Sequence, residues 1–228
     1  LRSPFPADQV VSHYFRQHRE LGHADRGFVA EAVFAVLRRK RSLSARCADE
    51  VTSRRLLLAA LACLQGMNRR ELEGVLSESE GKWLAQAKAV KMEELPPAVR
   101  LDLPDWLYAE FSAQFAADEV VQLAAGLNQP APLDLRVNSL KASRQGVLAR
   151  LLADGLVAES CTYSPLGIRL AGKPALAKHP LFIDGSIEVQ DEGSQLLGFL
   201  LQPRRGEMVA DFCAGAGGKT LLLGALMR

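Results

Sequence analysis

The stretch VADFCAGAGGKTLLLGALMR, residues 209–228, constrains this chain more than any other. An apolar segment runs into a turn with glycines at 215, 217 and 218, and a helix-forming run follows. That order predicts a buried strand over residues 208–212, a tight turn and a helix, the opening unit of a βαβ-type layer. Glycines in the turn allow positive φ and let a ligand approach the backbone. The first N–H groups of the following helix have no partner within it and face the turn. They form an anion site suited to a carboxylate or phosphate.

Two nucleotide motifs can be tested against the spacing. A Walker A loop needs glycine five positions before Gly218, where Cys213 stands. A dinucleotide fingerprint starting at Gly215 needs glycine at position 220, where Thr220 stands. Both fail. S-adenosylmethionine fits chemically, with its methionine carboxylate on the helix start and its body along the glycines. A purely structural turn between strand and helix is the competing reading.

Upstream, the chain changes texture twice. Residues 1–128 read as almost entirely helical, with the proline-rich LPPAVRLDLPDW as a connector. The segment DRGFVAEAVFAVLRRKRSL places Phe28, Val29, Val33, Val36 and Leu37 at helical spacing, with Asp25 able to cap its start. RRLLLAALACLQGM is a more apolar helix, central to a bundle, and RRELEGVL is a short one. Pro104 and Asp105 suit a helix start, and the following segment to Asn128 reads as one or two helices. Residues 129–182 read as a small α/β unit. It holds a strand in APLDLRVN, a helix ending at Gly155 and paired strands around Pro165 and Gly167. Residues 183–228 run from a short strand through a helix into the glycine-rich turn, the start of a Rossmann-like layer.

Composition limits the partners. Hydrophobic residues make up 48% of the chain, charged residues 24%, and the net charge is +2. Those are the proportions of a soluble globular protein, with no global basic field for nucleic acid. No apolar run approaches the roughly 18 to 20 residues that span a bilayer. The opening LRSPFPADQV lacks the apolar core of a signal peptide. The four cysteines, Cys47, Cys63, Cys161 and Cys213, form no Cys-x-x-Cys pair. That spacing points away from a zinc site or a disulfide framework and toward a reducing cytoplasm. The histidines at 13, 18, 23 and 179 show no metal-ligand spacing, so no metal is expected. A monomer is expected.

The motifs together resemble a known family. DFCAGAGGKT resembles the first motif of the NOL1/NOP2/sun family of RNA cytosine-5 methyltransferases, usually Asp-x-Cys-Ala-Ala-Pro-Gly-Gly-Lys-Thr. GSIEVQDEGSQL resembles the family's Gln-Asp-x-x-Ser helix, and PLDLRVNSLKAS its Arg-Val-Asn segment. LPDWL and DRGFVAEAVFAVLRR are similar to the NusB-like helical domain of its bacterial 16S rRNA members. The resemblance implies a multidomain chain: an all-α NusB-like bundle, a small α/β RNA-binding domain and the start of a Rossmann-like methyltransferase domain. It implies S-adenosylmethionine as cofactor, held by Cys213, Ala214, Gly215, Ala216, Gly217, Gly218 and Lys219, with Lys219 pointing into the active site. It implies RNA, in particular rRNA, as partner, contacted by Arg136, Asn138 and Lys141. Two positions depart from the usual motif: Gly215 stands for Ala and Ala216 for Pro. Losing the proline frees φ at position 216 and loosens the loop.

Family chemistry adds a cysteine thiolate to cytosine C6, and a second cysteine assists its release. Those cysteines lie in Asp-Ala-Pro-Cys and Thr-Cys-Ser motifs, and neither string occurs here. Cys213 is the motif cysteine of the loop and not the nucleophile, so no catalytic residue is assigned and the chain by itself is expected to be inactive. The alternative is a NusB-like RNA-binding module without methyltransferase activity. Other clusters read ambiguously. Arg38, Arg39, Lys40, Arg41 and Arg46 fit either an RNA surface or a solvated helix end. Asp191 and Glu192 read as capping or loop-bracing groups, and Trp83 and Trp106 as core anchors.

Overall fold

Alanine sets how closely the helices of the first half approach. The computed structural model describes residues 4–47 and 50–228. Leu1 to Ser3, part of the segment read as lacking a signal-peptide core, and positions 48 and 49 lie outside the described residues. The chain divides into two compact units, Leu1–Gln129 and Pro130–Arg228.

The first unit is helical: α1 (Ala7–Gln17), α2 (His23–Arg38), α3 (Lys40–Arg46), α4 (Ser53–Cys63), α5 (Glu78–Ala89), α6 (Pro97–Arg100), α7 (Asp105–Gln114) and α8 (Ala117–Leu127). Helix α4 is the most buried, with Leu56, Leu58, Ala59, Ala60, Leu61 and Ala62 all inside. It serves two adjoining cores, one with Ala32, Leu72 and Leu84 and one with Val36, Leu43 and Cys47. Thr52 starts α4 by accepting the Arg55 N–H at 3.2 Å. Helix α2 begins earlier than its sequence suggested, at His23, with Asp25 reaching back to the Gly22 N–H. Its buried residues are Ala32, Ala35 and Val36, whereas Phe28 and Leu37 are exposed. Small side chains at 32 and 35 let α4 come close, and that packing fixes the inward face.

Three expectations for this unit need correction. RRELEGVL forms turns, not a helix. There the Asn68 side chain accepts the Arg70 and Glu71 N–H groups, offering the backbone a local alternative to helical bonds. Trp106 is 68% exposed and anchors no core. The basic cluster is largely consumed inside the unit. Arg38 pairs with Glu31, Arg39 with Asp102 and Arg41 with Asp105, and Arg46 donates to the Ala87 carbonyl.

Asp102 is the costliest of these partners. Its φ is +57°, its side chain is fully buried, and its carboxylate accepts the Ser42 N–H at 2.7 Å and faces Arg39 at 3.0 Å. Asp102→Ala leaves a part-buried guanidinium without its counter-charge and a buried amide without its acceptor, and should cost about 3 kcal/mol in urea unfolding. A loss below about 0.5 kcal/mol, the scale of an ordinary surface change, would count against this role. At the start of α5, the Arg54 guanidinium and the Ser77 amide hold the Glu80 carboxyl down to about 2. A depressed carboxyl stabilises above its unfolded value and stops doing so as pH falls through its folded value. Wild type and Glu80→Gln should therefore differ in thermal midpoint at neutral pH. The difference should shrink as pH falls from about 4.5 toward about 2. A constant difference across that window would refute the assignment.

The second unit builds on one antiparallel sheet. Its elements are β1 (Leu133–Val137), α9 (Arg144–Ala153), β2 (Ala158–Ser160), β3 (Gly167–Leu170), α10 (Pro180–Ile183), β4 (Ile187–Val189), α11 (Glu192–Leu201) and α12 (Gly218–Leu226). Strand order is β2-β3-β1-β4, so β1 is interior. Leu135 pairs with Ile168 on one side and with Val189 on the other. Helix α9 starts at the Ser143 cap and is followed by Gly155 at φ +82°. Its Val147 and Leu151 join Leu135, Val137, Ile168, Leu170 and Ile187 in the core.

Two more corrections concern this unit. Three domains were expected, with a boundary before residue 183. Instead β4 pairs with β1, so that boundary falls inside one unit. The buried strand expected over residues 208–212 does not form, and Met208 and Phe212 are fully exposed. A strand needs a hydrogen-bonded neighbour, and none lies beside this segment among the described residues. The helices around it do form: α11 and α12 pack together, with Leu222 fully buried.

Candidate cofactor loop

The turn before α12 is shaped by its glycines. Gly215 has φ +55° and Gly217 φ +83°, both in the region that disfavours side chains. The Gly217 N–H donates to the Ala214 carbonyl at 2.8 Å, closing the turn, and the Leu221 N–H donates back to Gly217 at 2.9 Å, opening the helix. Thr220 Oγ1 donates to Asp211 Oδ2 at 2.7 Å and ties the two ends of the loop together. A Cβ built on Gly217 would meet nothing within 4 Å, so open space faces the backbone there. The N–H groups of the first turn of α12 are free to hold an anion, as at any helix start. Cys213 and Lys219 are exposed on either side of the turn. A cavity of about 240 Å³ opens between α11, α12 and the loop, lined by Leu197, Gly198, Asp211, Phe212, Lys219 and Leu223 among others.

Residues 213–219 are thus contiguous in the structure, and the set expected to touch RNA divides. Arg136 is 1% exposed and sits in the interior strand, so the structure withdraws it from an RNA surface. Its guanidinium pairs with Glu188 on β4 and donates to the Gly218 carbonyl at 3.3 Å. Asn138 donates to the Gly185 carbonyl at 3.1 Å, and Lys141 donates to the Asp184 carbonyl. Both brace the turn before β4, with Lys141 remaining exposed.

Asp191 and Glu192 take the capping and loop-bracing roles expected of them, and sequence reasoning missed only Gln195, which completes a polar bracket around α11. Asp191 caps the helix by accepting the Gly193 and Ser194 N–H groups. Glu192 accepts the Tyr163 and Ser164 N–H groups, bracing the β2–β3 turn. Gln195 is fully buried, donating to the Leu135 and Gln190 carbonyls and accepting from Ser164 Oγ. The run QDEGSQ was the available signal, since polar residues at a helix start either cap it or bond inward.

Asp134, Cys161 and Glu192 bring three potential ligand atoms within 4.8 Å of one another. Their electron pairs are already engaged. Arg169 grips both Asp134 oxygens at 2.7 and 2.9 Å, and Glu192 Oε1 serves the two amides. Burial, with Asp134 and Glu192 nearby, pushes the Cys161 thiol up to about 11. A thiol that keeps its proton is a poor ligand and a poor nucleophile. The trio is a structural brace.

Comparison with known proteins gives this geometry its context. Residues 103–177 match the family model described as the RsmF/B-like methyltransferase, ferredoxin-like domain. The chain is 29% identical to "Probable ribosomal RNA small subunit methyltransferase B" of Synechocystis, over 96% of this chain and 56% of that protein. It is 39% identical to the ribosomal RNA small subunit methyltransferase B of Pseudomonas putida, over 56% of this chain and 29% of that one. A solved structure, "Crystal Structure of PH0851", superposes on 97% of this chain and 57% of its own with a TM-score of 0.63, at 18% identity. That likeness supports the fold. The chain spans 56% of the length of the first of these curated relatives and 29% of the second. Among the described residues, no helix is long and apolar enough to cross a membrane.

Proposed function

We propose, from the premise that this chain is a homologue of the RsmF/B-like methyltransferases, that the protein is an S-adenosylmethionine-dependent methyltransferase acting on cytosine C5 of small-subunit rRNA. One observation carries the cofactor reading: the open space at Gly217 lies where the family-like motif meets a helix start. A glycine cradle beside free N–H groups fits a ligand with one carboxylate and an extended body. Cys213, Ala214, Gly215, Ala216, Gly217, Gly218 and Lys219 would hold it. When bound, the cofactor supplies an electrophilic methyl group. The protein's own part is to hold the carboxylate at the start of α12, to fix the loop through Asp211 and Thr220, and to place the Lys219 cation at the rim. In this reading the helical unit is a NusB-like RNA-binding bundle, and the segment after β4 begins a Rossmann-like layer. Of the residues first assigned to RNA, Lys141 stays within reach of a phosphate.

No described cysteine suits attack on C6. Burial raises the Cys47 and Cys161 thiols, Cys63 packs against the core of the helical unit at the end of α4, and Cys213 belongs to the loop. Residues 1–228 alone should then be inert in methyl transfer. The test is an assay with methyl-labelled S-adenosylmethionine and small-subunit rRNA. The protein at the natural length of its gene is expected to yield 5-methylcytidine, and residues 1–228 no label. Label in another nucleoside, or RNA retention without any transfer, would replace this reading. The second result would favour an RNA-binding module.

A further inference from the structure

We infer that Arg136 is a positioning residue for the glycine loop, holding the Gly218 carbonyl and through it the first turn of α12. The inference rests on the cofactor reading of that loop. A guanidinium at 1% exposure in an interior strand is expensive to bury, and its strand neighbours Leu135 and Val137 are apolar and fully buried. The sheet itself has no use for a cation there. Nor does α12, since a positive charge near a helix N-terminus opposes the helix dipole.

What the guanidinium does is join two elements. Arg136 and Glu188 are register partners in β1 and β4, and their ion pair aims the fork. The fork then donates to Gly218 across 82 residues of sequence, at 3.3 Å. Few contacts hold this loop. The preceding segment forms no strand, two of its glycines have positive φ, and Thr220 to Asp211 is a tie within the loop. Arg136 is a tie from the loop to the sheet. Two buried polar atoms also lack partners here, Arg136 Nε and Gln190 Oε1, and Gln190 Nε2 lies 3.5 Å from where a Gly218 Cβ would stand.

The test separates positioning from stability. In Arg136→Met/Glu188→Leu an apolar pair replaces the ion pair, an exchange that often leaves stability unchanged or improved. The readouts are amide exchange and, in the natural-length protein, KM for S-adenosylmethionine against kcat. The double variant should keep wild-type protection at Ile168 in β3. Exchange at the Leu221 amide, which closes the first turn of α12 by donating to Gly217, should rise about tenfold or more, and KM should rise by a similar factor with kcat little changed. Wild-type exchange in α12, or faster exchange with an unchanged KM, would overturn the inference. If the double variant fails to fold, Glu188→Gln gives the same comparison, because it removes the charge that aims the fork while keeping its shape. If wild type binds no S-adenosylmethionine, the cofactor reading falls. The positioning of α12 is then decided by the exchange data alone.

Discussion

Gly167→Ala should destabilise the second unit by about 3 kcal/mol, the upper range for overpacking a core. Gly167 begins β3 and is buried. A Cβ there would stand 2.7 Å from Cys161 Cβ, 2.9 Å from its sulfur and 3.1 Å from Ser164 Cβ. None of these neighbours can step aside easily. The Cys161 N–H donates to the Gly167 carbonyl at 3.0 Å, and the Gly167 N–H donates to Ser164 at 3.2 Å, so the β2–β3 turn is pinned against this position. Ser164 is pinned further by Glu192 and Gln195. Cys161→Ala in the Gly167→Ala background should give little relief, because it removes the sulfur contact but keeps the closer Cβ at 2.7 Å. Cys161→Gly in the Gly167→Ala background should recover part of the loss. Urea midpoints of the four proteins measure both effects. A Gly167→Ala protein within about 0.5 kcal/mol of wild type would mean that the turn is softer than its bonds imply.

How much of this was legible in the sequence depends on how local each feature is. The glycine turn, the start of α12 and the cap at Asp191 were readable, because glycine conformation and capping act within a few residues. The hairpin around Pro165 was readable for the same reason. The absent strand at 208–212 shows the limit. Its apolar run is strand-like, but a strand exists only with a neighbour, and no local signal says whether one is present. Strand β4 shows the converse, since only its pairing with β1 places it in the sheet. Arg136 looked like a surface cation, since charged residues are almost never fully buried unpaired. Its partner Glu188 lies 52 residues away, and the pairing that accompanies the burial of Arg136 is invisible to a reading along the chain. The missed role of Gln195 is likewise non-local, for it reaches Leu135 across 60 residues.

Gly217→Val should abolish S-adenosylmethionine binding by the natural-length protein, a loss of about a hundredfold or more in Kd if one steric block removes the contact made at the loop. Two causes are mixed in that variant and can be separated. Position 217 has φ +83°, so any L side chain is strained there and a β-branched one most of all. The space in front of it is empty, so a new side chain would meet no protein atom within 4 Å of its Cβ. Strain acts on the fold, and the side chain acts on whatever the space receives. Asn tolerates positive φ far better than Val, yet it fills the same space. Gly217→Asn should therefore keep a thermal midpoint near that of wild type and still lose binding. If Gly217→Asn binds normally while Gly217→Val does not, the loop's conformation matters and its open space does not. If both bind normally, residues 213–219 are a structural turn, and the cofactor belongs elsewhere in the protein.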